Sequence, residues 1–220
     1  MTTNLQNQII DGTIAFVKQE LSNAEGGHDW FHIQRVLNNA QHIAKTELVD
    51  EFVVALGSLL HDIADAKFHD GDETVGPKKA RTFLKSQGVS EEIIIHVIQI
   101  IENISFKGGN QKQGFRSREL DVVQDADRLD ALGAIGVARC FNYGGFKNRV
   151  LYDPDIAPNL SMTPEEYRAS TAPTINHFYE KLFLLKDRMN TETGKRIAAG
   201  RHSFMESFLT QFYAEWHSEQ

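Results

Sequence analysis

Residues 51–64 read EFVVALGSLLHDIA. Phe52, Val53, Leu56, Leu59, Leu60 and Ile63 recur at the three- and four-residue spacing of one helix face. Into this apolar run the chain sets His61 and Asp62, between Leu59-Leu60 and Ile63-Ala64. A histidine and a carboxylate so flanked are expected to be partly buried. An ionised carboxylate taken out of water is costly unless it is paired or coordinates a metal. Taken alone, the pair reads equally as a satisfied core histidine beside a capping aspartate.

The segments on either side repeat the helical period. Ile10, Ile14, Val17 and Leu21 form one face, and Ile33, Val36, Leu37, Ala40, Ile43 and Ala44 another. Ile93, Ile94, Val97, Ile98 and Ile101 follow Ser90, an expected N-cap, and the acidic pair Glu91-Glu92. Leu120, Val123, Ala126, Leu129 and Leu132 make a further helix, and 174–189 and 193–216 read as two amphipathic ones. No long alternating pattern competes, so the fold class is all-α. Residues 105–114 and 142–173, rich in glycine and proline, read as irregular; a connection as long as the second often covers a functional site.

With 220 residues, 41% hydrophobic and 24% charged, the chain suits one globular domain over 1–220. Cys140 is the lone cysteine, which rules out an intramolecular disulfide and fits a reducing compartment. Neither a basic-then-apolar leader nor a run near the ~20 apolar residues of a membrane span is present, so a cytoplasmic location and no membrane partner are expected. The net charge of −7 argues against extended nucleic-acid binding, which wants a basic face. It is compatible with a small phosphorylated substrate, because one bound divalent cation reverses the local sign of a carboxylate-lined site.

Two other clusters hold metal-ligand residue types. His28 and His32 bracket Asp29-Trp30-Phe31, and His32 lies one turn before Val36 at the edge of an apolar stripe. Alone, it reads as a helix-start histidine bonded to backbone. Asp125, Asp127 and Asp130 crowd six positions of an otherwise apolar helix. Either Arg128 offsets their repulsion from a solvated face, or a cation does.

The order His, then His-Asp, then a distant Asp resembles the motif blocks of the HD-domain phosphohydrolase superfamily. Those blocks match His32-Ile33-Gln34-Arg35-Val36, Leu59-Leu60-His61-Asp62-Ile63 and Asp125-Ala126-Asp127-Arg128-Leu129-Asp130-Ala131. Ser105-Phe106, Tyr143-Gly144-Gly145, 177–185 and 189–193 are similar to a subgroup of small bacterial HD hydrolases. The resemblance implies an HD-domain helical bundle with its motif core at about 28–140 and C-terminal helices (174–216) packed on that core. It implies metal ligation by His32, His61, Asp62 and Asp127, the last chosen over Asp125 because it directly precedes Arg-Leu-Asp-Ala. Two imidazoles and two carboxylates suit a divalent Mn, Fe, Co, Ni or Zn ion, and Mg less readily.

Beyond the ligands, Asp65 lies one turn after His61, where the nucleotidase branch often carries an acid. It is the expected proton-handling residue beside Asp62, with Asp70 second. Lys67 and Arg35 are the candidate phosphate contacts, each also readable as a surface charge; Lys78, Lys79 and Arg81 read as a solvated helix face. Trp30, Phe106, Tyr143 and Phe146 can stack on a base or simply pack.

The expected activity is hydrolysis of a small nucleotide, at a phosphoanhydride with pyrophosphate release or at a phosphomonoester, by a monomer or homodimer. One alternative is an HD-type di-iron oxygenase with extra histidines such as His28 or His96. Ile104, where several relatives carry histidine, counts against it. The other is a non-catalytic nucleotide-binding sensor.

Overall fold

The computed structural model describes residues 2–22, 29–64, 72–104 and 114–219, and within them the chain is all-helical with no strand. Asp65, Lys67, His28, Asp70 and Phe106 lie outside the described residues. Two compact units emerge, 1–127 and 128–220, the division falling inside one helix.

In the first unit, α1 (Asn4–Glu20), α2 (Trp30–Ala44) and α5 (Glu91–Asn103) surround α3 (Glu51–Leu60) by contacting it directly, and α4 (Val75–Ser86) lies on α5. Every residue of α3 from Phe52 to Leu60 is buried. Full burial of one such aliphatic side chain is worth roughly 1.5–3 kcal/mol, so α3 is the pillar of this unit. Its start is fixed by Asp50, whose carboxylate accepts from the Phe52 and Val53 amides. The Ser90 position does start α5, but its hydroxyl makes no capping bond. Helix α4 carries Lys79 and Arg81, which pair with Glu20 and Glu91, so two of that basic cluster's cations are already balanced.

Helix α6 (Arg118–Asp130) begins in the first unit and is anchored there along its length, Glu119 accepting from the Asp50 amide at 3.0 Å. Gln124 donates to the Asn103 carbonyl at 2.9 Å, and Asn39 of α2 donates to the Ala126 carbonyl at 3.2 Å.

The second unit contains α7 (Gly133–Phe146), α8 (Pro164–Ala169), α9 (Asn176–Glu180), a 3₁₀ segment (Leu182–Arg188) and α10 (Glu192–Trp216). Its interior is aromatic: Phe141, Phe178 and Phe208 approach one another with ring centroids 5.8–6.1 Å apart. Two expectations are corrected here. The segment 142–146 is helical, not irregular, and α8 interrupts the long connection. Tyr143-Gly144-Gly145 looked like a break because of its glycines. Gly144 is instead required by close approach, since a Cβ there would stand 2.2 Å from Thr174 Oγ1. The single helix expected over 174–189 is broken at Lys181, after which the chain winds more tightly. That path brings the Phe183 ring to 4.8 Å from His202 of α10, a tertiary contact invisible to periodicity.

Candidate metal centre

Three of the expected ligands converge. His32 comes from the first turn of α2, His61 from the residue that ends α3, and Asp127 from the last turn of α6. One donor atom of each lies within 4.8 Å of the other two, the one such group of three or more metal-ligating side chains among the described residues. His32 Nε2 stands 3.5 Å from Asp127 Oδ1, and His61 Nε2 stands 3.8 Å from the same oxygen. The two imidazoles meet edge to face, with centroids 5.4 Å apart.

Local structure accounts for each placement. Asp29 caps α2 by accepting the His32 amide at 2.9 Å, so His32 enters the helix in its first turn and points with Val36 into the interior. His61 is oriented by its own backbone: Nδ1 lies 2.8 Å from the Ser58 carbonyl. A carbonyl only accepts, so in the neutral ring Nδ1 carries the proton and Nε2 keeps its lone pair, the arrangement typical of a metal-ligating histidine. Asp127 is held indirectly. Asn39 sits two turns after His32 on the same face of α2 and grips the carbonyl of Ala126, next to Asp127.

The donor set fits a divalent cation. Two atoms bound at ~2.0–2.2 Å to one ion are about 3–3.5 Å apart, close to what His32 and Asp127 show. Those separations are too long for direct hydrogen bonds. The His32 and His61 side chains are nearly inaccessible, while the Asp127 side chain is 38% exposed, so the group has a dry wall and one open side.

The remaining calls fall out differently. Asp62 is half-buried next to His61 and stands outside the converging three. Arg35 is half-buried on α2, one turn after His32. His96 is not in the group; its Nε2 bonds the Ser117 hydroxyl at 2.9 Å, a structural role. Trp30 lies under the Lys18 ammonium at 4.8 Å. Asp125 is fully buried, and Asp130 pairs with Arg139 at 2.6 Å. Arg128 donates to the Arg188 carbonyl at 2.6 Å. The acidic triplet thus splits into one residue buried, one in the centre and one ion-paired. Sequence reasoning missed Asn39 and the Ser58 carbonyl. Asn39 was signalled by its seven-residue spacing from His32; the carbonyl had no side-chain signal at all.

Comparison with known proteins agrees with this arrangement. A family model described as HD domain matches residues 30–132. YpgQ of Bacillus subtilis, itself described as uncharacterized, is 38% identical over 199 residues, spanning 89% of this chain and 88% of its own. A crystal structure of an HD-superfamily hydrolase from Bacillus thuringiensis superposes with a TM-score of 0.78 at 43% identity, covering 96% of this chain and 98% of the other. YpgQ crystallised in complex with ADP superposes with a TM-score of 0.77, at 32% identity over the superposed residues and 96% coverage of each chain. Three ligand-type side chains in the family's order, on the family's fold, agree with these matches, and the chain belongs to the HD domain superfamily.

Proposed function

We propose that this protein is a metal-dependent phosphohydrolase of a small nucleotide. Its preferred reaction is cleavage of a nucleoside triphosphate to the monophosphate and pyrophosphate, with phosphomonoester hydrolysis as the lesser alternative. The observation that carries this reading is the convergence of His32, His61 and Asp127, with the lone pair of His61 Nε2 left available. The complex of YpgQ with ADP and the hydrolase from Bacillus thuringiensis support the substrate class and the reaction type.

In this reading His32, His61 and Asp127 hold the ion, and Asp62 adds a fourth ligand. When bound, such an ion acidifies water and withdraws charge from a phosphoryl oxygen. The protein's own groups then do the rest. His61 holds its proton on Nδ1 against the Ser58 carbonyl, so the ring neither rotates nor changes tautomer. The buried imidazoles exclude solvent from one side of the phosphoryl group, and the exposed side of Asp127 is where substrate enters. Asp65, three residues after the pair in sequence, takes the proton of the attacking water or supplies one to the leaving oxygen. Arg35 and Lys67 hold the phosphate oxygens.

The test is a panel of nucleoside mono-, di- and triphosphates with Mn, Mg, Co or Ni, reading orthophosphate and pyrophosphate separately. Pyrophosphate from triphosphates supports the preferred reaction, and orthophosphate from monophosphates the alternative. If no nucleotide turns over with any of these metals while the chain still binds them, the hydrolase reading fails and the sensor reading stands.

A further inference from the structure

The second unit contains a cluster of cationic and hydrogen-bonding groups to which the metal-dependent reading gives no role. The Tyr167 hydroxyl and His177 Nδ1 are 2.9 Å apart, with the two rings nearly parallel. Lys181 Nζ lies 6.0 Å from the Tyr167 ring centroid, and Arg149 Cζ lies 5.8 Å from that of Tyr143. The two cations act electrostatically on His177 from one neighbourhood. Arg149 is half-buried, donates one hydrogen bond, to the Ser170 carbonyl at 2.6 Å, and has no carboxylate partner among the described residues. A guanidinium offers five N–H donors, so most of its capacity is unused, and a half-buried cation without a counter-ion is costly to keep.

The Tyr167–His177 pair adds a donor whichever way its proton lies. If the phenol donates to Nδ1, then Nε2 carries the second N–H, and that nitrogen has no partner among the described residues. If Nδ1 donates to the phenol oxygen, the O–H is left to give. The ring is neutral at physiological pH, because burial and the two cations push its pKa down to about 3. The pair therefore contributes a neutral donor in the field of both cations, with the Glu180 carboxylate also acting on Tyr167. Beside them the half-exposed Tyr143 ring has Arg149 Cζ and Lys147 Nζ each 5.8 Å from its centroid, so a third cation stands near the group.

We propose that Arg149, Lys181 and the Tyr167–His177 pair form a binding site for a phosphate or pyrophosphate group. Two cations with fixed donors suit a doubly charged oxyanion better than a carboxylate, because a phosphate offers three acceptor oxygens to a guanidinium fork and an ammonium together. The site needs neither the metal nor turnover, so it stands or falls separately from the hydrolase reading.

The experiment is calorimetric titration of the full chain, in excess EDTA, with inorganic phosphate, inorganic pyrophosphate, AMP and adenosine. Pyrophosphate and AMP should bind, more weakly as salt is raised, and adenosine at least tenfold more weakly than AMP. Tighter binding of AMP than of inorganic phosphate would assign a nucleotide, and equal binding a free anion. Arg149→Gln and Lys181→Gln should each weaken pyrophosphate at least tenfold, whereas His61→Ala should leave it unchanged. Lys181 is exposed, so its variant disturbs the interior less and decides the matter if Arg149→Gln does not fold. Absence of anion binding in EDTA overturns the proposal, as does unchanged binding by Lys181→Gln or loss of binding in His61→Ala.

Discussion

Ser58 separates what a side chain does from what a backbone atom does. Its carbonyl orients His61, while its buried hydroxyl has no hydrogen-bond partner among the described residues. An unsatisfied buried hydroxyl costs about 1–3 kcal/mol. Replacing Ser58 with alanine removes that hydroxyl and keeps the carbonyl. Metal affinity is expected to stay within about twofold, and stability in denaturant to hold or rise by about 1 kcal/mol. A large loss of metal affinity would show that the hydroxyl, not the carbonyl, matters. Cys140 is a residue of the opposite kind: burial pushes its thiol up to about 12, so it stays protonated and unreactive at neutral pH.

Among the elements, α6 is where position depends on a neighbour. Asp127 reaches the two histidines because Asn39 of α2 holds the Ala126 carbonyl. Asn39→Ala should cost about 0.5–1.5 kcal/mol of stability and, as loss of an outer-shell support, about tenfold or more in metal affinity. Circular dichroism should show the helices retained, and an unchanged affinity would mean that α6 is placed by other contacts. The helices of the first unit were legible because each buries one face, so apolar residues had to recur at the helical period. His61 stood out as a polar residue inside such a face, whereas Asp127 was singled out from Asp125 by the resemblance to the family's motif. What escaped was decided by distant partners: position 144 is glycine because Thr174 leaves no room for a Cβ, not because the helix breaks there, and Lys181 ends a helix so that Phe183 can meet His202. No local pattern encodes those contacts.

Across the whole molecule, the buried His177 ties folding to acidity. Unfolded, its imidazole takes up a proton near 6.5; folded, it does so only near about 3. Its contribution to stability is therefore complete above pH 6.5 and is lost as pH falls toward 3, at up to about 1.4 kcal/mol per unit. Denaturant titrations between pH 7 and 4 should show His177→Gln losing less stability on acidification than the parent chain. An identical slope for both would place the acid sensitivity elsewhere. Among the described residues no helix is long and apolar enough to cross a membrane.

The account as a whole rests on His32, His61 and Asp127 sharing one cation. The direct measurement is Mn²⁺ titration of chelator-stripped protein by calorimetry, for the parent chain and for His61→Ala and Asp127→Ala. The expected result is one ion per parent chain and at least a hundredfold weaker binding in each variant, with helical content preserved. Equal affinity in the parent and both variants would contradict it.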